Sequence, residues 1–131
     1  MPLEVHVVTP EREVWSGDAT LVVARGVEGE VGVMAQHAPL LIRLAIGPLT
    51  VRREGEDLLA VVDGGFLHVT SAGEGTRVDV LATSVTLAGE IDPAAEQEHK
   101  VDAESRLASA RDDAEAAVEL AKAQARLKLL G

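Results

Sequence analysis

Four histidines, His6, His37, His68 and His99, are the residues best suited to proton transfer or metal ligation in this chain. None stands in an H-E-x-x-H motif, and no two lie three to five residues apart, the spacing that sets two ligands on one helix face. Cysteine is absent, which removes thiolate metal sites, disulfides and a thiol nucleophile together. A metal site would have to be assembled from distant strands, so exposed strand or loop positions are the plainer reading and no metal is expected. The acidic pairs Glu28/Glu30 and Asp112/Asp113 are chemically able to act as acid and base, but read more simply as a solvated loop and a helix cap. Gly26, Gly29 and Gly32 are spaced G-x-x-G-x-x-G and lead into more β pattern, not into a helix, so they do not make a dinucleotide loop. No Walker-type G-K-[ST] and no G-x-S-x-G elbow occurs. With no convergent nucleophile, base and oxyanion donor, the expectation is a chain that catalyses nothing and holds no resident cofactor.

The elements that would position these residues follow from composition and periodicity. The 131 residues suit one domain or two small units. With 12 basic and 22 acidic residues the net charge is -10, which speaks against a nucleic-acid or anionic-membrane surface. No apolar run reaches the ~18 residues of a membrane span, and the N-terminal stretch lacks the pattern of a secretory signal. One Trp, one Phe and no Tyr leave the core to Val, Leu and Ala.

Residues 1–89 read as strands. Leu3, Val5 and Val7 alternate with Glu4, His6 and Val8, and "ATLVVAR", "PLTVRR", "LLAVV" and "TRVDVLA" continue in short β-rich runs. Turn chemistry at 53–57, at the Asp63-Gly64-Gly65 triplet and at 71–76 separates them, which predicts an antiparallel sandwich or barrel of about eight to ten strands. Within it Gly29 and Gly32 are expected to take backbone shapes that a side chain would resist, and Leu40 and Leu41 to re-enter the core.

Residues 90–131 obey a different pattern. Asp92-Pro93 reads as an N-cap and first helical residue, and no further Gly or Pro occurs before Gly131. Asp112 or Asp113 is placed to cap a second helix; the alternative is one uninterrupted helix of ~38 residues and ~57 Å. The pattern favours the hairpin. Its large aliphatics are Val101, Leu107, Val118, Leu120, Leu127, Leu129 and Leu130, and alanine fills the remaining face. A buried large aliphatic contributes about 1.5–3 kcal/mol and alanine much less, so these helices are expected to hold the sandwich weakly.

The stretches "VTPEREVWSGDATLVVARGVEGEVGVMAQHAPLL", "GGFLHV" with "VDVLA", and "GEIDPAAEQ", in that order, resemble the epsilon subunit of F-type ATP synthases over essentially the whole chain. "VWSGDATLVVAR" is most similar to actinobacterial members. The resemblance implies a rotor-stalk subunit at the cytoplasmic face of a bacterial membrane, with the sandwich on the gamma subunit and c-ring and the helices able to rise toward the alpha/beta catalytic head and suppress ATP hydrolysis. On that reading Glu28, Glu30 and His37 would face the c-ring loops, and Lys122, Arg126 and Lys128 would meet the head or gamma. Some relatives bind ATP through I-D-x-x-R-A. Here Ile91 and Asp92 match, while Ala95 and Glu96 replace Arg and Ala, which removes the phosphate partner and adds negative charge. ATP binding is therefore not expected. Two other readings are open to the sequence: a free-standing nucleotide-binding regulator, and an unrelated β-sandwich adaptor with a bracing tail.

Overall fold

The structure, a computed structural model, describes residues 3–73 and 75–131. Among the described residues eight strands come first: β1 (Leu3–Val8), β2 (Glu13–Ala19), β3 (Leu21–Gly26), β4 (Gly29–Val33), β5 (Leu40–Arg52), β6 (Leu58–Ala72), β7 (Gly75–Ala82) and β8 (Val85–Leu87). A 3-10 turn (Ala88–Glu90) leads to helices α1 (Pro93–Ser109) and α2 (Ala114–Leu129). This is the expected β-sandwich followed by two helices. The strands run in the order β2-β1-β7-β6-β5-β3-β4, with β8 also paired to β6. All pairings are antiparallel except β1 with β7, which lie parallel with Leu3 opposite Thr76.

The sheet closes over one aliphatic core. Leu3, Val5 and Val7 of β1 share it with Val78 and Val80 of β7, Leu67 and Val69 of β6, Leu49 and Val51 of β5, and Val22 of β3. These residues occur at every second position, so period-2 alternation sends one face of each strand inward. Strands at opposite ends of the pairing order meet in this core, which makes the sheet a sandwich.

The Asp63-Gly64-Gly65 triplet does not separate two strands, as its turn chemistry suggested. It lies inside the fifteen-residue β6 and bends it. Gly64 and Gly65 have φ of 90° and 121°, open to glycine and closed to most L-residues. On one side of the bend Ala60–Val62 pair with β8; on the other Gly65–Ala72 pair with β7. A Cβ at Gly65 would sit 2.1 Å from the Leu81 carbonyl oxygen, so the bend is also a point of backbone-to-backbone contact. The glycines of the first hairpin divide as well. Gly29, at φ 137°, makes the tight β3–β4 turn, whereas Gly32 lies in β4 opposite Val23 with no such requirement. Leu40 packs on the core, but Leu41 points outward and is 62% exposed, because alternation along β5 sends Leu40, Ile42 and Leu44 the other way. The expected 71–76 turn joins β6 to β7, and its Glu74 lies outside the described residues.

The helices begin where their caps dictate. Asp92 accepts from the Ala94 and Ala95 amides with Pro93 at the first helical position. Asp113, not Asp112, caps α2 by accepting from the Ala116 amide at 3.0 Å, so the hairpin forms and the continuous helix does not. Arg106 of α1 donates to Glu119 of α2 at 2.6 Å and holds the two together. Helix α2 lies against β5 and β6, and α1 packs on α2. The fully buried apolar side chains of the hairpin are Ala103, Ala116 and Ala123, while Val101, Val118 and Leu130 are exposed.

Replacing Gly65 with alanine is expected to destabilise the sandwich by about 3 kcal/mol or more, since strain and a backbone clash add. Gly55→Ala, at φ 92° with open space around it, should cost only the ~1–2 kcal/mol of a left-handed residue. Denaturant titration followed by the single tryptophan, Trp15, distinguishes the two.

Candidate functional site

Charge is concentrated where the helices meet the sheet. Asp63 sits on β6 just before the bend, and alternation puts it on the same outer face as the buried Val61. Its side chain is 3% exposed. It accepts from the Ser84 hydroxyl and from Arg126 Nη2 at 3.3 Å, and Lys122 Nζ stands 3.7 Å away. Arg126 also reaches across to α1, where its Nη1 donates to Glu96 Oε1 at 2.9 Å. Glu96 is 8% exposed at its side chain, with His99 Nδ1 3.4 Å from its other oxygen. Two carboxylates and two cations thus form one balanced, part-buried cluster spanning β6, α1 and α2. Burial of either sign alone would be costly, which is why the four occur together. Beside it lies a cleft of about 410 Å³ lined by Glu96, Asp102, Glu119, Arg106, Lys122 and Arg126 among others. Its three acids and three strong bases cancel.

The other residues singled out in the sequence lie apart from this cluster. Glu28 and Glu30 are exposed on the β3–β4 hairpin, and Glu30 pairs in register with Arg25. His37 is half-buried in the following connection, with Nδ1 2.7 Å from the Ala38 carbonyl oxygen. The structure brings Glu28 and Glu30 onto one hairpin. Lys122 and Arg126 face inward to the sandwich here, while Lys128 is exposed and makes no ion pair among the described residues. Asp92 serves as the α1 cap, and the half-buried Ile91 donates its amide to the Ala88 carbonyl at 3.3 Å. Among the described residues no three His, Asp or Glu side chains gather as a metal site. No helix among the described residues is long and apolar enough to cross a membrane.

A second surface is apolar. Phe66 of β6 and Leu81 of β7 are direct cross-strand neighbours, both nearly half exposed. Leu41 of β5 lies opposite His68, one diagonal step from Phe66. Val27 and Met34 are exposed near the β3–β4 hairpin. Sequence reasoning missed both surfaces. Leu41 read as core, and neither Asp63 nor Glu96 carries a local mark of its distant partner.

Residues 2–88 match the family model described as "ATP synthase, Delta/Epsilon chain, beta-sandwich domain". The chain belongs to the ATP synthase epsilon-chain family. It is 44% identical over 128 residues to the ATP synthase epsilon chain 1 of Methylococcus capsulatus, covering 97% of this chain and 86% of that relative. It is 41% identical over 130 residues to the epsilon chain of the actinobacterium Thermobifida fusca, covering 96% and 90%. The epsilon chain of Frankia casuarinae is 48% identical over 88 residues, which are 66% of this chain but 99% of that one. That epsilon chain is therefore about as long as the sandwich alone. In fold, the chain is similar to one in the mitochondrial ATP synthase OSCP/F1/c-ring structure of Euglena gracilis, with TM-score 0.86, 23% identity, and coverage of 99% of this chain and 82% of the other. A chain of the Tetrahymena thermophila central stalk and c-ring gives TM-score 0.54 at 22% identity, covering 85% and 92%.

His6 lies on β1. It sits between Glu13 and Glu4, each 2.7 Å from a ring nitrogen. Hydrogen bonding first to Glu13 and then to Glu4 raises its pKa above 6.5. A raised folded-state value means the stabilisation is complete below the unfolded pKa and is lost as pH rises through the folded one. The difference in melting temperature between the parent and His6→Gln should therefore be larger at about pH 5.5, below the unfolded value, than at a pH well above it. Calorimetric scans at the two pH values check this.

Proposed function

We propose that this chain is a non-catalytic subunit of the rotor stalk of a proton-translocating ATP synthase. Its sandwich grips the gamma subunit and the c-ring, and its helices form a brake on ATP hydrolysis that can leave the sandwich and rise toward the alpha/beta head. The family membership supports the placement. The observation that carries the mechanism is the interface of α2 with the sheet, where part-buried Ala121, Ala125 and Leu129 lie beside Ile46 and Pro48 and one ion cluster adds charge. Such an interface holds two states within reach of each other, as a reversible switch requires.

The sandwich offers two kinds of contact. The exposed Leu41, Phe66 and Leu81 supply an apolar stripe suited to the hydrophobic part of a stable subunit interface, which we assign to gamma. Glu28 and Glu30 on the β3–β4 hairpin, with His37 nearby, supply acidic rim contacts for the polar c-ring loops. Rim charges of this kind set register and orientation more than affinity. Torque passed through the stalk would load both contacts. In the raised state Lys122, Arg126 and Lys128 become available to acidic segments of the head. The subunit would then reside at the cytoplasmic face of a bacterial cell membrane, held there by the complex.

The chain is expected to bind no ATP. Its alanine at position 95 gives no bidentate partner for phosphate. The carboxylate of Glu96 already occupies Arg126, and the adjoining cleft is charge-neutral as a whole. Isothermal titration of the chain with ATP should show no binding tighter than about 1 mM, a free energy near -4 kcal/mol; tighter binding would restore the nucleotide-regulator reading.

The functional test uses the ATP synthase head of the source organism, stripped of this chain. Adding back the full chain should suppress ATP hydrolysis severalfold, and a version ending at Gly89 should bind without suppressing it. Binding without inhibition by both versions removes the brake and leaves a coupling element. Binding by neither overturns the rotor-stalk reading.

A further inference from the structure

Charge placement at the helix–sheet boundary carries an inference about how the docked state is held. The fully buried apolar side chains of the hairpin are alanines, and Leu107, Leu120, Leu127 and Leu129 are only part-buried, so apolar burial holds the docked helices weakly. Against that weak background the interface contains two nearly fully buried carboxylates, Asp63 on the sheet and Glu96 on α1. One guanidinium, that of Arg126 on α2, spans both, with Nη2 on Asp63 at 3.3 Å and Nη1 on Glu96 at 2.9 Å. Lys122, one helical turn earlier, adds the second positive charge 3.7 Å from Asp63. Helix α1 is thereby tied to the sheet through α2.

We infer that the Asp63–Arg126–Glu96 bridge is the latch of the hairpin, the element that sets the ratio of docked to undocked helices. The inference rests on the reading that the helices leave the sandwich. It adds which residues decide how often they do so.

The latch works by charge balance more than by the strength of its hydrogen bonds. When docked, each carboxylate is shielded by a cation that arrives on α2. When undocked, Asp63 is hydrated and pays no burial penalty, while Glu96 keeps Arg126 within the hairpin and gains water. Taking away the guanidinium therefore leaves two carboxylates in a part-buried site with Ser84, His99 and the Lys122 ammonium but no bridging cation, and the docked state loses more than one hydrogen bond. Removing all three charges removes the penalty together with the bridge, and an uncharged site of similar volume is close to neutral. The network is also incomplete. Asp63 Oδ1 and Arg126 Nε are buried without a hydrogen-bond partner among the described residues. A partly satisfied network contributes less than a complete one, which suits a contact that must be given up.

The test uses the isolated full chain, so it stands apart from the hydrolysis assay that tests the rotor-stalk reading. The sequence has no cysteine, and the part-buried Ala125 of α2 lies beside Ile46, Gly47 and Pro48 of β5, so Ala125→Cys places a single thiol between the hairpin and the sheet. Its alkylation rate reports undocking, while Trp15 fluorescence reports the integrity of the sandwich. Arg126→Met should speed alkylation roughly 100-fold, with the Trp15 signal unchanged. The triple variant Asp63→Asn, Glu96→Gln, Arg126→Met should return the rate to within about tenfold of the parent. Lys128→Met, at an exposed position outside the bridge, should leave it unaltered. An unchanged rate in Arg126→Met overturns the latch. So does a triple variant as fast as Arg126→Met, because Arg126 would then act through packing and not charge. Loss of the Trp15 signal in Arg126→Met also overturns it, since the bridge would then belong to the fold of the sandwich itself.

Discussion

Everything in this molecule is arranged around the approach of the β6 backbone to the Leu81 carbonyl at Gly65. Only a residue without a Cβ fits there. The bend at Gly64-Gly65 lets one strand serve two neighbours, β8 on one side and β7 on the other. Through β7 it reaches β1, and so brings Val78 and Val80 with Leu3, Val5 and Val7 over the core shared with β3 and β5. The same bend fixes Asp63 on the face that α2 covers. Strand geometry, core closure and the anchoring charge of the helices thus share one short segment.

The two halves of the chain are held by different physics. The sandwich is closed by aliphatic burial and by ladders of backbone hydrogen bonds, terms that are lost cooperatively or not at all. The hairpin is held internally by good helix formers, two aspartate caps and the Arg106–Glu119 and Arg126–Glu96 pairs, and externally by part-buried side chains of α2 and the cations on Asp63. Its hold on the sheet is therefore separable from its own integrity as a helical pair. The proposed brake needs that separation, because the sandwich must survive while the helices move.

Local features were legible in the sequence, and relations between distant residues were not. Alternation at Leu3, Val5 and Val7 announced β1, and Asp92-Pro93 announced the start of α1. The break at 110–113 was visible but shared between two aspartates, and only the geometry of the Ala116 amide selects Asp113. Asp63-Gly64-Gly65 misled, because paired glycines permit a turn and a bend equally well and what decides is a carbonyl sixteen residues further on. Leu41 read as core by hydropathy, although its parity along β5 sends it outward. The charge cluster was invisible for the same reason. Glu96 stands among the acids expected at a helix start, and nothing near it in sequence marks a partner on another helix and a second carboxylate in the sheet. The quoted stretches that resemble the epsilon family carried what periodicity could not.

The parallel pairing of β1 with β7 bears on how the chain is made. A parallel neighbour cannot be supplied by a hairpin, so β1 waits beside β2 for a strand that leaves the ribosome after most of the sandwich has been synthesised. Once β7 and β8 emerge, every strand of the core is present, and the two helices are still to come. The nascent sandwich can complete itself before there is anything to cover its outer face. The helices follow every strand in chain order, so their docking is the last contact that synthesis makes possible.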